Sequence, residues 1–190
     1  MTLSLPSTLP RIPVAVALLT LAAATASCTE TTPEPGPETT PVALPAGAEL
    51  GVDTLPSVAG RQDECPYLDA AWVESVNGQR VTGVGVDPRF ENPACVFWSY
   101  PEEPQLQVLV RRMPDARAAA DVVDWAAPTG STEPAELPGG WVGGRGAASL
   151  IDGAVFAVQK DAVAVVVLTN QAQSFKAQQV AQATVDNLAL

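Results

Sequence analysis

Three cysteines, four tryptophans, a few paired acids and a glycine-rich run carry most of the chemistry available to this 190-residue chain. Histidine is absent. That excludes Ser-His-Asp and Cys-His catalysis, histidine-ligated zinc or haem, and a pH switch built on imidazole. The acidic pairs Glu102-Glu103 and Asp121/Asp124 are the residue types of a glycosidase or a calcium site. Hydrolysis needs two carboxylates about 5–10 Å apart across a cleft, and no EF-hand spacing is present, so solvated surface is the expectation for both. Asp87-Pro88-Arg89-Phe90 is a rigid turn with two readings. Arg89 anchors a carboxylate or phosphate against the wall of Phe90, or Phe90 enters the core and Arg89 pairs with Asp87 or Glu91. The second is expected. Gly139-Gly140-Trp141-Val142-Gly143-Gly144-Arg145-Gly146 would let backbone amides approach an anion beside Arg145. It lacks the Lys-Ser/Thr ending of a phosphate loop, so a bulged hairpin is expected. Tryptophans line glycan or lipid grooves because indole offers both a stacking face and a donor. Trp72 and Trp98 sit in apolar stripes and read as core, whereas Trp125 and Trp141 flank a long loop and read as the mouth of a pocket. The candidate ligand-binding residues are therefore Arg89, Phe90, Trp125, Trp141 and Arg145. No metal site and no cofactor are expected.

The formal charge is −11, with 21 acidic side chains against 10 basic ones. Phosphate binding needs clustered Lys and Arg, so nucleic acid is not an expected partner. Arg11 precedes the apolar run Val14–Ala26, which as a helix spans about 20 Å, short of the ~30 Å hydrocarbon core. Residues 1–27 therefore read as a signal peptide. Thr25-Ala26-Ser27-Cys28 resembles a bacterial lipobox, with Thr25 where the pattern usually has Leu. Cys28 would then become the acylated first residue of the mature chain and tether it to the membrane. Cleavage after Ala26 by ordinary signal peptidase is the competing reading. Between Thr29 and Gly60 lie six prolines, five acidic residues and no basic one, a composition that cannot bury enough surface to offset its ordering entropy. Residues 28–60 are expected to form a lipidated, disordered tether, and 61–190 a single globular domain. Lipidation of Cys28 would leave Cys65 and Cys95 as a pair, which in an exported chain is expected to be a disulfide.

The domain must position these residues with elements legible from periodicity. Leu68, Trp72 and Val76 recur at four-residue spacing after Pro66, and Gly78 is placed to end a first helix. Strands are expected in VTGVGVD (81–87), CVFWSY (95–100) and LQVLVR (106–111). Two glycines on one face of the first of these, Gly83 and Gly85, imply another backbone packed against it. A second helix starts near Pro114-Asp115 and carries Ala119, Val122, Val123 and Ala126 on one stripe. A loop from Pro128 to Gly140 leads to strands in 141–151, 154–159 and 163–169. The unbroken apolar run of the last suggests a central strand buried on both faces. A third helix, with Ser174 as its cap, repeats Ala177, Val180, Ala181, Thr184, Val185 and Leu188 on one face, leaving Gln178, Gln179 and Gln182 outside. The order α-β-β-β-α-β-β-β-α is that of an α+β fold, an antiparallel sheet covered by helices.

The stretch from Cys65 to Arg111, with its Cys-Pro-Tyr-Leu, Asp-Pro-Arg-Phe and Ala-Cys-Val-Phe-Trp segments, resembles an actinobacterial cell-envelope lipoprotein family known only as a domain of unknown function. More distantly it is similar to LpqN-like lipoproteins and to the extracellular sensor domains of some actinobacterial Ser/Thr kinases. The resemblance implies an exported, membrane-anchored, disulfide-stapled module on the extracytoplasmic face of the cell membrane, without assigned catalysis. The expected function is non-catalytic binding of an envelope lipid, glycan or protein. An accessory envelope hydrolase using paired carboxylates is the alternative.

Overall fold

A computed structural model describes residues 47–190. The expected signal peptide, Cys28 and the first part of the tether lie outside the described residues. The elements are α1 (Ala70–Asn77), β1 (Gly83–Asp87), β2 (Asn92–Trp98), β3 (Pro104–Arg112), α2 (Ala116–Ala126), β4 (Glu133–Leu137), β5 (Trp141–Ala147), β6 (Ala154–Lys160), β7 (Val163–Thr169) and α3 (Ser174–Leu188). The expected α+β class, an antiparallel sheet with three helices, is what forms. The seven strands stand in the order β1-β2-β3-β7-β6-β5-β4, every neighbouring pair antiparallel.

β7 is the middle strand, and Ala164 to Leu168 are fully buried on both its faces. On one face Leu106, Val108, Val110, Phe156, Val158, Val165 and Val167 meet the apolar stripe of α3 and Val73 of α1. On the other, Leu109, Val155, Ala157, Val166 and Leu168 meet Ala119, Val122, Val123 and Ala126 of α2. Alternation along each strand sends successive side chains to opposite faces, so the sheet carries two cores.

Four local expectations are corrected. β4 forms inside the stretch read as a loop. Its Pro134, Glu133 and Glu136 depress β propensity, yet Ala135 and Leu137 are buried while those three are exposed. A proline and two carboxylates suit an edge strand, where they deter pairing with another chain. Pro138-Gly139-Gly140 turns it into β5, both glycines at positive φ, 90° and 89°. The first helix starts at Ala70 rather than at Pro66, because Asp69 caps it by accepting from the Trp72 amide at 2.8 Å. Ser174 is already helical, Gln173 occupies the cap position, and no side chain makes the capping bond.

The fourth correction concerns the tether. Gly47 to Gly60 is not part of a free spacer but a strap laid over the α2 side of the sheet, with Leu50 and Val52 packed on the core. It then runs parallel to β1, where Asp63 N donates to Val84 O at 2.9 Å and Val84 N to Arg61 O at 3.0 Å. Gly85 is the contact that two glycines on one strand face implied. A Cβ there would lie 2.5 Å from the Gly60 carbonyl oxygen. Among the described residues, the packed body therefore includes 47–60 and does not start at residue 61. Composition favoured disorder because the strap's bonds come mainly from side chains of the sheet, not from its own sequence.

Cys65 and Cys95 are joined, their Cα atoms 5.7 Å apart. The bridge ties the segment entering α1 to β2 across thirty residues of sequence. By loop entropy it contributes about 3–4 kcal/mol. The double variant Cys65→Ala/Cys95→Ala is expected to lose that much unfolding free energy in urea and to become insensitive to reductant. A loss below ~1 kcal/mol would show the bridge to be dispensable to the fold.

Candidate functional site

The expected sites resolve one by one into structure. The Asp87 carboxylate is buried at the end of β1 and receives a fork from Arg89, Nη2 at 2.6 Å and Nε at 3.0 and 3.1 Å, as well as the Ser57 amide at 2.7 Å. Burial pushes the Asp87 carboxyl up, but the Arg89 fork and the Ser57 and Arg89 amides outweigh it and hold it below its ordinary value. Arg89 also donates to Leu55 O at 3.2 Å. Its guanidinium thus secures the strap.

Phe90 is buried between two guanidiniums, Arg89 and Arg111, at 5.7 and 5.2 Å from its ring centre. Arg111 is the deeper. Its Nη atoms donate to the carbonyls of Gly51 at 3.2 Å, Leu50 at 3.0 Å and Gly47 at 3.4 Å. Burial lowers its pKa, and Asp53 opposes that shift. Arg89 and Phe90 therefore act on the strap, with the Arg89 Nε and Nη2 committed to Asp87 and Leu55.

Trp125 and Trp141 do not come together. Trp125 packs on the α2 core and Trp141 belongs to the opposite one, buried with the Lys160 ammonium 5.8 Å above its ring. Both flank the β4 region in sequence, but strand alternation and helix side place them on different faces. Arg145 stands across from Glu133 in the β4–β5 ladder, 3.8 Å from its carboxylate. Trp141 to Ala147 are ladder and Gly139-Gly140 the turn before them, so a hairpin forms as expected, but its register runs without the expected bulge. Asp121 and Asp124 are exposed on α2, and Glu102 and Glu103 are exposed in the β2–β3 turn. Among the described residues no cluster of three or more His, Cys, Asp or Glu is arranged to hold a metal ion.

What the structure does assemble is a groove on the helical face. Trp72 of α1, Leu137 and Pro138 at the end of β4, and Phe175, Gln178, Gln179, Gln182, Ala183 and Asp186 of α3 line about 480 Å³. That lies within the range of small-molecule sites. Phe175 is 61% exposed, an aromatic ring set off the apolar stripe of α3. Gln182 Nε2 donates to Asp186 Oδ1 at 2.9 Å one turn on. Trp72, read from sequence as core, is only half-buried and packs against the core by one side. The signal that would have found the groove is Phe175 itself, an aromatic among the glutamines on the polar side of a helix.

Several bonds fix the groove's walls. Asp69 starts α1. The Tyr67 hydroxyl donates to Pro93 O at 2.8 Å, and Asn187 of α3 donates to Tyr67 O at 2.8 Å. Burial raises the Tyr67 pKa, so the phenol stays a donor. At the other end of α1, Asn77 is fully buried. It donates to Gln105 Oε1 at 2.9 Å and accepts from Thr169 Oγ1 at 2.8 Å, while Lys176 of α3 donates to Asn77 O at 2.7 Å. No sequence signal marks the Asn77–Gln105–Thr169 network, whose members are uncharged polar residues about thirty and ninety positions apart.

A second concavity of about 320 Å³ lies between the end of α2 and β4–β6, over Gly143 and Gly144. Gln159 lines it, and its Oε1 is the one buried side-chain polar atom without a partner among the described residues.

Fold and site together define a disulfide-stapled α+β domain with a small-molecule-sized groove between two helices. Residues 50–190 match the domain of unknown function DUF2020, and the chain belongs to that family. No curated protein matches the chain.

The Asp87 environment makes a pH prediction. A carboxylate whose pKa is lower folded than unfolded contributes stability that is present above the ordinary value of 3.8 and lost as pH falls through the folded value. Wild-type unfolding free energy is expected to drop as acid is added below about pH 4. Asp87→Asn is expected to be less stable at neutral pH and to show a shallower acid limb. An unchanged acid limb would mean that Asp87 does not hold the strap.

Proposed function

We propose that this chain is an exported, lipid-anchored protein of the cell envelope whose folded domain binds a ligand without catalysing a reaction, in the groove between α1 and α3. The observation that carries the binding reading is that groove. It sets two partly exposed aromatic rings beside amides on a helix pair tied together at both ends of α1.

Export and anchoring are supported by the lipobox-like Thr25-Ala26-Ser27-Cys28 after an apolar run too short to span a bilayer. The Cys65–Cys95 bridge suits an oxidising compartment. No helix among the described residues is long and apolar enough to cross a membrane, so the acyl group at Cys28 would supply the attachment. A diacylglyceryl-modified Cys28 would carry two chains, which stable anchoring needs, because a single one holds a protein only weakly. The resemblance of Cys65–Arg111 to actinobacterial envelope lipoproteins points the same way.

The test is metabolic labelling of cells making the full chain with an alkyne-bearing palmitate, followed by fractionation. Wild type is expected to be labelled and to sediment with membranes. Cys28→Ser is expected to be unlabelled, and Cys65 and Cys95 of the wild type are expected to resist alkylation until reduced. An unlabelled wild type with alkylatable thiols would overturn export and anchoring together.

A further inference from the structure

The groove's lining restricts what it can hold. Among the described residues, its only charged side chain is Asp186, and no lysine or arginine lines it. A phosphate or carboxylate would meet no cation there and one carboxylate of like sign. A lone carboxylate already engaged by Gln182 is also a poor cage for a cation. An acyl chain would cover Trp72, Phe175 and the apolar Leu137, Pro138 and Ala183, but would leave the hydrogen-bonding capacity of three glutamine amides and Asp186 around them unused. The lining best suits a neutral ligand with an apolar face for two rings and donors and acceptors around its rim.

Each glutamine offers a carbonyl acceptor and two N–H donors, and Asp186 offers acceptors alone. Gln178, Gln182 and Asp186 succeed one another at four-residue steps, so they form a row along one side of α3. Gln179 and Ala183 form the adjoining row. Phe175 stands one turn before Gln178 and Gln179, at the N-terminal end of both rows, and Trp72 faces them from α1. The sum is two aromatic surfaces with a ladder of amides. Pyranose rings have that complementary chemistry: C–H groups on the faces and hydroxyls, each both donor and acceptor, around the edge.

We propose that the groove binds a neutral oligosaccharide, its ring faces on Trp72 and Phe175 and its hydroxyls on Gln178, Gln179 and the Gln182–Asp186 pair. The assignment rests on the reading of this groove as the binding site and names its ligand class. Recognition is shape and hydrogen bonding without charge, so binding should vary little with salt.

The experiment uses the mature chain, residues 28–190, with Cys28→Ser so that no acyl group is attached, labelled with ¹⁵N. Chitotriose, maltotriose, octyl glucoside below micelle formation, glucose 6-phosphate and a monomeric lysophospholipid are titrated separately to ~10 mM. The Trp72 indole N–H is read against the buried Trp141 indole as a control. A saturable shift of Trp72 with at least one trisaccharide, unchanged between low and high salt, is expected. Phe175→Ala and Gln179→Ala, both at exposed positions and so compatible with folding, should each weaken it about fivefold. Stronger binding of octyl glucoside than of the free sugars would support the same chemistry with a glycolipid headgroup as its source.

If the phosphate ester or the lysophospholipid moves Trp72 and no neutral sugar does, the carbohydrate assignment is overturned while the groove remains the binding site. If no probe moves Trp72, both fall. Sugar binding unaffected by Phe175→Ala and Gln179→Ala would also overturn the assignment.

Discussion

The structure depends on a sheet that is apolar on both faces. A central strand with five consecutive fully buried residues cannot leave either side to water. Each face loses about 25 cal/mol of stabilisation for every Å² of apolar surface left exposed. Two covers must therefore form. α1 and α3 supply one. α2 is only eleven residues long and reaches the β5–β7 half of the other, so the remainder above β1–β3 falls to the strap. The segment that composition marks as a spacer is the missing piece of a core.

An irregular strap has few backbone bonds of its own, and its carbonyls still require partners. Arg111 meets the requirement with donors aimed at three carbonyl oxygens, while Phe90 offers its ring to the same guanidinium. A buried arginine bonded to carbonyls and an aromatic face, and not to a carboxylate, keeps its charge at the cost of desolvation. Asp87 then orders the next stretch through Ser57 and Arg89. Arg89, a candidate ligand anchor by sequence, and Arg111 are what convert this segment into a covering layer.

On the opposite face the same economy of elements sets up the groove. α1 has only eight residues, too few to be stable alone, and it is held at both ends. The disulfide, the Tyr67 hydroxyl and Asn187 fix its entry, and the Asn77–Gln105–Thr169 network and Lys176 fix its exit. A helix so constrained cannot slide to close over α3. Trp72 and Phe175 are thereby left facing one another's helix across open space, without meeting in a packed interface. The bridge that reads as a stability device is also what keeps the groove's wall in place.

Local pattern was enough for much of this architecture. The stripes of α2 and α3, the Gly78 helix stop, the strand alternation, the glycines of β1 that admit a neighbouring backbone, and the central position of β7 all follow from interactions between residues close in sequence or from the period of a single element. The cysteine pair was legible too, given export. The edge strand β4 was not, because the proline and glutamates that protect a sheet edge are the residues that argue against a strand. Nor was the strap, whose order comes from Arg89 and Arg111 thirty-four to sixty-four positions away. Trp125 and Trp141 looked like partners because they are near in sequence; which face of the sheet each one meets was decided by strand pairing and by the side on which α2 packs. The groove is the same kind of fact. Trp72 and Phe175 are about a hundred residues apart, and a concave surface exists only where distant segments stop short of contact, which no periodicity within either segment can express.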